Sequence, residues 1–191
     1  VQPDRELLDG WRAGDRAAGE ALVARHWPSI AGFFRSKVGD DGADLISQTF
    51  VACLESSEPI ENVRAFLFAV ARRRLADHFR TRARTPELDL ARSSLVDLAP
   101  GPLTEVTRRE RRELLREGLA RIPLDDQIAL ELAYFESLSM RELAGVLEIE
   151  ENTARSRLAR ARERLRAALA ELASAGEAED AESQLITPQD R

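Results

Sequence analysis

Between Thr85 and Pro102 the chain reads TPELDLARSSLVDLAPGP, where prolines, Gly101 and mixed polarity break any long regular helix. On either side, apolar residues recur at three- and four-residue spacings, the mark of amphipathic helices. An interruption of this kind restricts the fold to an all-α arrangement of two small helical modules, each dependent on dense packing of a short core. The expected boundaries are residues 1–84 for the first module, 85–104 for a flexible linker and 105–173 for the second module. The terminal EAEDAESQLITPQDR offers little apolar area to offset the cost of ordering, so residues 174–191 are expected to form a disordered acidic tail.

In the first module Asp4 is placed to cap a short helix carrying Leu7, Leu8 and Trp11. Gly14 and Asp15 interrupt it, and Ala18, Ala21 and Leu22 restart the pattern. Pro28 suits the first turn of a further helix containing Ile30, Phe33 and Phe34. Beyond a turn at Gly39 to Asp41, Leu45, Ile46, Thr49, Phe50 and Cys53 share one helix face, leaving Asp44 and Gln48 on the polar remainder. After ESSEP, a long helix is expected from Glu61 or Asn62 to about Ala83. Leu67, Ala71, Leu75 and Phe79 recur every four residues along it, with Arg72, Arg80 and Arg84 on a neighbouring stripe.

The second module holds the more specific pattern, SLSMRELAGVLEIEENTARSRLARARERL. Ser139 and Glu142 have the spacing of a reciprocal capping box at the start of a short helix. A turn at Glu148 to Glu150 leads to a longer helix whose Ala154, Leu158, Ala161 and Leu165 face inward. At about 100° per residue, Asn152, Arg155, Ser156, Ala159 and Arg160 then form one outward sector. A short helix, a turn and a basic second helix make a helix-turn-helix, in which the second helix enters the major groove of double-stranded DNA. Glu148 stands where such turns often carry glycine.

Charge distribution agrees with this reading better than mean charge does. The net charge is −6, yet Arg72 to Arg84 and Arg155 to Arg166 are two cationic runs in an otherwise acidic chain. A lone cysteine and two histidines are a poor basis for a zinc site, and Cys53 sits among core-like residues. The sequence holds neither a glycine-rich phosphate loop nor a nucleophile motif, so neither catalysis nor a cofactor is expected. No apolar run approaches the roughly 18 to 20 residues of a membrane span. The opening VQPDRELLDGW lacks the features of a secretory signal, which leads to a cytoplasmic expectation.

Taken in order, DDGADLISQTFVACL, ENVRAFLFAVARRRLADHFR and LSMRELAGVLEIEENTARSRLARARERLRAAL resemble the extracytoplasmic-function sigma factors of bacterial RNA polymerase. The resemblance covers about residues 5–84 and 105–172. It implies a transcription initiation factor that binds core RNA polymerase, recognises an upstream promoter element with its helix-turn-helix and assists opening of a downstream element with its first module. On that resemblance Asp44 and Gln48 are polymerase contacts, and Arg72, Arg73, Asp77, His78 and Arg80 lie toward downstream promoter DNA. Asn152, Arg155, Ser156 and Arg160 face the upstream element. Arg73 replaces a frequent asparagine of the family, Phe66 an aromatic that is usually tryptophan, and Ala154 a larger aliphatic residue. An anti-sigma protein is among the partner classes the resemblance implies. Two other readings compete: a dimeric helix-turn-helix regulator, which accounts for residues 139–166 alone, and a helical anti-sigma or signalling adaptor.

Overall fold

The computed structural model describes residues 2–82 and 105–186, and the expected linker falls outside them. Its described elements are helices joined by short turns. In chain order they are α1 (Asp4–Arg12), α2 (Arg16–Val38), a single 3-10 turn (Gly39–Gly42), α3 (Ala43–Glu55) and α4 (Val63–Arg82), followed by α5 (Glu105–Ala120), α6 (Leu124–Tyr134), α7 (Met140–Leu147) and α8 (Glu151–Ile186). None of these helices is long and apolar enough to cross a membrane.

The turn between α1 and α2 forms because Gly14 takes the left-handed region, φ 95°, and Asp15 then accepts hydrogen bonds from the backbone N–H groups of Ala17 and Ala18 at 2.9 and 3.2 Å. Asp4 does not cap α1 as expected. Its carboxylate reaches across to α2, pairing with Arg25 and accepting from His26 Nε2 at 2.8 Å. Burial pushes the Asp4 carboxyl up, but the hydrogen bond from Arg25 and the charge and hydrogen bond of His26 outweigh it and hold the group below its ordinary value. The first module is thereby closed at its amino-terminal end by a buried histidine.

Pro28 was expected to open a helix, yet α2 runs through it without a break. Leu22 and His26 before the proline are buried, as are Ile30, Phe33 and Phe34 after it, so both halves pack on the same core. That continuous burial outweighs the one backbone hydrogen bond a proline removes. Phe33 makes edge-to-face contacts with Phe34 and Phe68 at 5.4 and 5.8 Å. On α4, Leu67, Ala71 and Leu75 are buried as their spacing requires, and Asn62 Oδ1 caps the helix by accepting from Ala65 N at 2.9 Å. Arg12 fixes the end of α3, donating to the Cys53 carbonyl from Nε and Nη2 at 3.0 and 2.7 Å and to the Ser56 carbonyl at 2.9 Å. The fully buried Cys53 thiol is pushed up to about 12 by burial against the opposing charge of Arg12, so it stays an uncharged packing group.

In the second module α5 and α6 pack along α8, and α7 closes the bundle. Ser139 and Glu142 form the expected capping box. Leu143, Val146 and Leu147 of α7 are buried, as are Ala154, Leu158 and Ala161 of α8. The helical chain was expected to end near Ala173, but α8 continues to Ile186. Ala, Glu, Leu and Gln dominate AGEAEDAESQLI, and their helix propensity favours continuation of the backbone past Gly176.

Two separate cores were expected, whereas the buried residues of both halves form one continuous apolar cluster from Leu7 to Ala168. The seam is made chiefly by α7 lying on α4.

Candidate nucleic-acid interface

The arginines of α8 divide by direction. Arg157 turns back to Asp125 of α6 at 3.2 Å, and Arg164 pairs with the buried Asp126 of the same helix. These two arginines hold α6 to α8. Arg155 lies outward, paired with Glu151 and donating to Asn152 Oδ1 at 3.3 Å, while Ser156 Oγ donates to the Asn152 carbonyl at 2.9 Å. Arg160 is exposed and has no ion pair among the described residues. Asn152, Arg155, Ser156 and Arg160 thus share one exposed sector, as the helical spacing predicted, and present donors and a hydroxyl at the spacing of a groove-reading helix.

The sector is aimed by the turn before it. Glu148 takes the left-handed conformation, φ 57° and ψ 43°, and its N–H ends α7. A glycine there would carry no Cβ penalty, so Glu148 holds a position of mild backbone strain. Its carboxylate is spent on the first module, 3.0 Å from Arg73 Nε and 3.8 Å from Arg72 Nη1.

On α4 the five candidates split into two groups. Arg72 and Arg73 sit at the seam, Arg72 also lying 3.8 Å from Asp125. Asp77, His78 and Arg80 lie farther along the helix. Asp77 pairs with Arg80 at 2.6 Å, and His78 meets the Arg82 guanidinium at 3.3 Å and the edge of Phe79. Arg73, Asp77 and Arg80, at i, i+4 and i+7, share one exposed stripe of α4, with Arg72 and His78 half-buried beside it.

On α3 Gln48 Nε2 donates to Asp44 Oδ2 at 2.6 Å, Asp44 being exposed and Gln48 half-buried. Val51 and Leu54, exposed despite their apolar character, continue the same helix, and Trp27 stacks on Phe50 at 6.2 Å with its own ring open to solvent. The sequence reading places Leu45, Ile46, Thr49, Phe50 and Cys53 on one helix face and leaves Val51, Leu54 and Trp27 unassigned. The signal available was that Phe50, Val51, Cys53 and Leu54 cannot all point inward from one helix. Such a polar pair beside exposed aliphatic and aromatic groups suits a protein partner.

Sequence reasoning also missed the polar contacts of the seam. Besides Glu148 they comprise Asn62, which donates to Glu142, and Lys37, which pairs with Glu131. Lys37 and Glu131 are both largely buried; desolvation pushes the lysine down and the glutamate up, each against the attraction of the other. Among the described residues no group of His, Cys, Asp and Glu is arranged to hold a metal ion.

Residues 112–165, from the middle of α5 into α8, match the family described as sigma-70, region 4. A larger likeness runs through most of the chain, which is 25% identical over 173 residues to the ECF RNA polymerase sigma-E factor of Haemophilus influenzae, across 84% of this chain and 92% of that protein. The chain is similar to extracytoplasmic-function sigma factors. Its fold agrees with a solved structure of CnrH in complex with the cytosolic domain of CnrY, with a TM-score of 0.66 and 24% identity over 88% of this chain and 97% of that one. It also agrees with the sigma factor RpoE in complex with the anti-sigma factor NepR from Bartonella quintana, with a TM-score of 0.62 and 22% identity over 78% and 95%. The likeness of the chain to these proteins thus spans both helical modules, beyond the helix-turn-helix alone.

Proposed function

We propose that this chain directs bacterial core RNA polymerase to a restricted set of promoters. The observation that carries this reading is the outward sector of α8, a helix-turn-helix surface attached to a second helical module in the order its relatives share. Arg155, Ser156, Asn152 and Arg160 read the upstream element, phosphate contacts setting position and base-edge contacts setting preference. The α3 face of Asp44 and Gln48, extended by Val51 and Leu54, meets the polymerase. On α4, Arg72, Arg73, Asp77, His78 and Arg80 line the path of the opened strand. Nucleotide addition belongs to the polymerase, and this chain makes and breaks no bond. An anti-sigma protein is a partner of the same reading, and the working compartment is the cytoplasm, where polymerase and promoters meet.

Transcription in vitro from a randomised promoter library, with core polymerase and purified chain, tests the proposal. The intact chain should enrich a narrow promoter set. Replacing Arg155 and Arg160 by alanine should abolish that selectivity, at about 1 to 3 kcal/mol for each good bidentate base contact. Asp44→Ala with Gln48→Ala should weaken polymerase binding and leave duplex binding by α8 in place. A folded chain that binds no core polymerase and enriches no promoter sinks the reading.

A further inference from the structure

The first turn of α8 carries a charge opposite to the one that phosphate attracts. Glu151 is the opening residue of the helix, at the end that a groove-reading geometry brings nearest the base edges. Helix chemistry alone favours such a residue, because a carboxylate suits the helix dipole and a glutamate four residues before an arginine forms a stabilising pair. The geometry adds more. Both terminal nitrogens of Arg155 are engaged by its own helix: Nη2 pairs with Glu151 Oε1, and Nη1 donates to Asn152 Oδ1 at 3.3 Å. Ser156 Oγ, donating to the Asn152 carbonyl at 2.9 Å, completes the cluster. The exposed pair of Arg16 with Glu20 on α2 has the same four-residue spacing but joins one nitrogen, Nε, to one acceptor at 2.8 Å. Arg155 is thus held in a defined plane by two acceptors from successive residues.

An arginine presents five N–H donors in one plane. With two engaged by Glu151 and Asn152, three remain, enough for a bidentate contact with O6 and N7 of one guanine. The same restraint partly neutralises the guanidinium and keeps it from swinging to a phosphate. Glu151 also brings a second oxygen, Oε2, that lies outside the pair with Arg155. An ionised carboxylate can only accept hydrogen bonds. In the major groove it is met by the amino groups of cytosine and adenine, whereas O6 and N7 of guanine and O4 of thymine set an acceptor against its charge.

We infer that Glu151 is a specificity-determining residue of the DNA-reading helix: it positions Arg155 on a guanine and requires the neighbouring base, toward the amino-terminal end of α8, to be cytosine or adenine. This deepens the promoter-reading role proposed above for α8 and rests on it. Glu151 lowers the attraction of α8 for DNA in general and sharpens its choice among sequences.

The test selects duplexes from a library randomised in the upstream element, using the full chain in two arms: binding without polymerase, and transcription with core polymerase. The wild type should enrich a guanine beside an amino-bearing base, preferring cytosine or adenine over guanine or thymine at that neighbour about five- to tenfold, the scale of one base contact. Glu151→Gln keeps the size of the side chain but both donates and accepts, so the preference at that one position should fall below about twofold while the first guanine stays enriched. Its affinity for an unrelated duplex should rise about two- to fivefold, and the slope of log affinity against log salt should steepen by about one, as Arg155 becomes available to a phosphate. Glu151→Asp retains the charge and should retain the preference. Glu20→Gln, which removes the carboxylate of the exposed pair on α2, should alter neither preference nor slope. A pair that served only the helix would lower the melting temperature in Glu151→Gln and leave every base preference as it was, and that result overturns the inference. A library that enriches nothing in either arm overturns it as well. Relaxation at the one position in the binding arm, with no initiation in the other, upholds the role of Glu151 and rejects the polymerase-directing reading. Selective initiation that Glu151→Gln leaves unaltered does the reverse.

Discussion

Gly19 shows how a single missing side chain sets the packing of α1 on α2. A Cβ built there would lie 2.4 Å from Cδ1 and Nε1 of the Trp11 indole, so the ring occupies the space a side chain would need. Glycine to alanine inside a helix ordinarily gains about 1 kcal/mol. At this position Gly19→Ala is expected to lose about 1 to 3 kcal/mol instead, because the rigid ring must move. Thermal unfolding followed by tryptophan emission checks this: the melting temperature should fall, and Trp11 should become more exposed. Individual residues were legible in the sequence where direction follows from helical period. Asn152, Arg155, Ser156 and Arg160 face outward for that reason. Glu148 was conspicuous as a non-glycine in the turn, but nothing local discloses that its carboxylate goes to Arg73, far earlier in the chain.

For whole elements, local chemistry was most readable at α7. Ser139 and Glu142 lie three residues apart, and the capping box they predict is present. The Ser139 hydroxyl and backbone N–H both bond the Glu142 carboxylate and hold its pKa below the ordinary 4.5, with a smaller contribution from Asn62. A carboxyl whose pKa is depressed on folding adds stability that is present above its unfolded value and is lost as pH falls through the folded one. Ser139→Ala should therefore cost about 1 kcal/mol near neutrality. The difference between wild type and variant in urea unfolding should shrink once the pH drops well below 4.5, where Glu142 is protonated, leaving the part due to the Glu142 N–H donated to Ser139 Oγ. A difference that persists undiminished in acid would refute the assignment to this cap. Elements proved unreadable where a local rule met a competing force. Pro28 signals a helix start, yet the core buried on both sides of it keeps α2 whole. The acidic stretch after Ala173 signals disorder, yet its helix formers extend α8.

Across the whole molecule, the expected linker lies outside the described residues, and the contact between the halves was not legible in the sequence. The seam joins residues 80 and 94 positions apart, as in Asn62 with Glu142 and Lys37 with Glu131, and no periodic pattern encodes such a pairing. The Lys37–Glu131 pair offers a direct measurement. Removing one member of a buried pair leaves a charge without compensation, so Glu131→Gln is expected to destabilise the protein by about 3 kcal/mol, toward the lower end because Lys37 keeps two other acceptors. Lys37→Met with Glu131→Leu should restore most of that loss, since two apolar groups fill the seam without needing each other's charge. Chemical denaturation midpoints of the three proteins decide between this and a pair that contributes nothing. The 36 residues of α8 have a mechanical consequence as well. At 1.5 Å per residue the helix is a rod about 54 Å long that begins just after the turn at Glu148. Tilting its first turns by about 10° would swing the distal end through about 9 Å at that length. The far end of α8 therefore acts as a pointer, converting a small adjustment of its first turns into a displacement large enough for a fluorescent pair to follow.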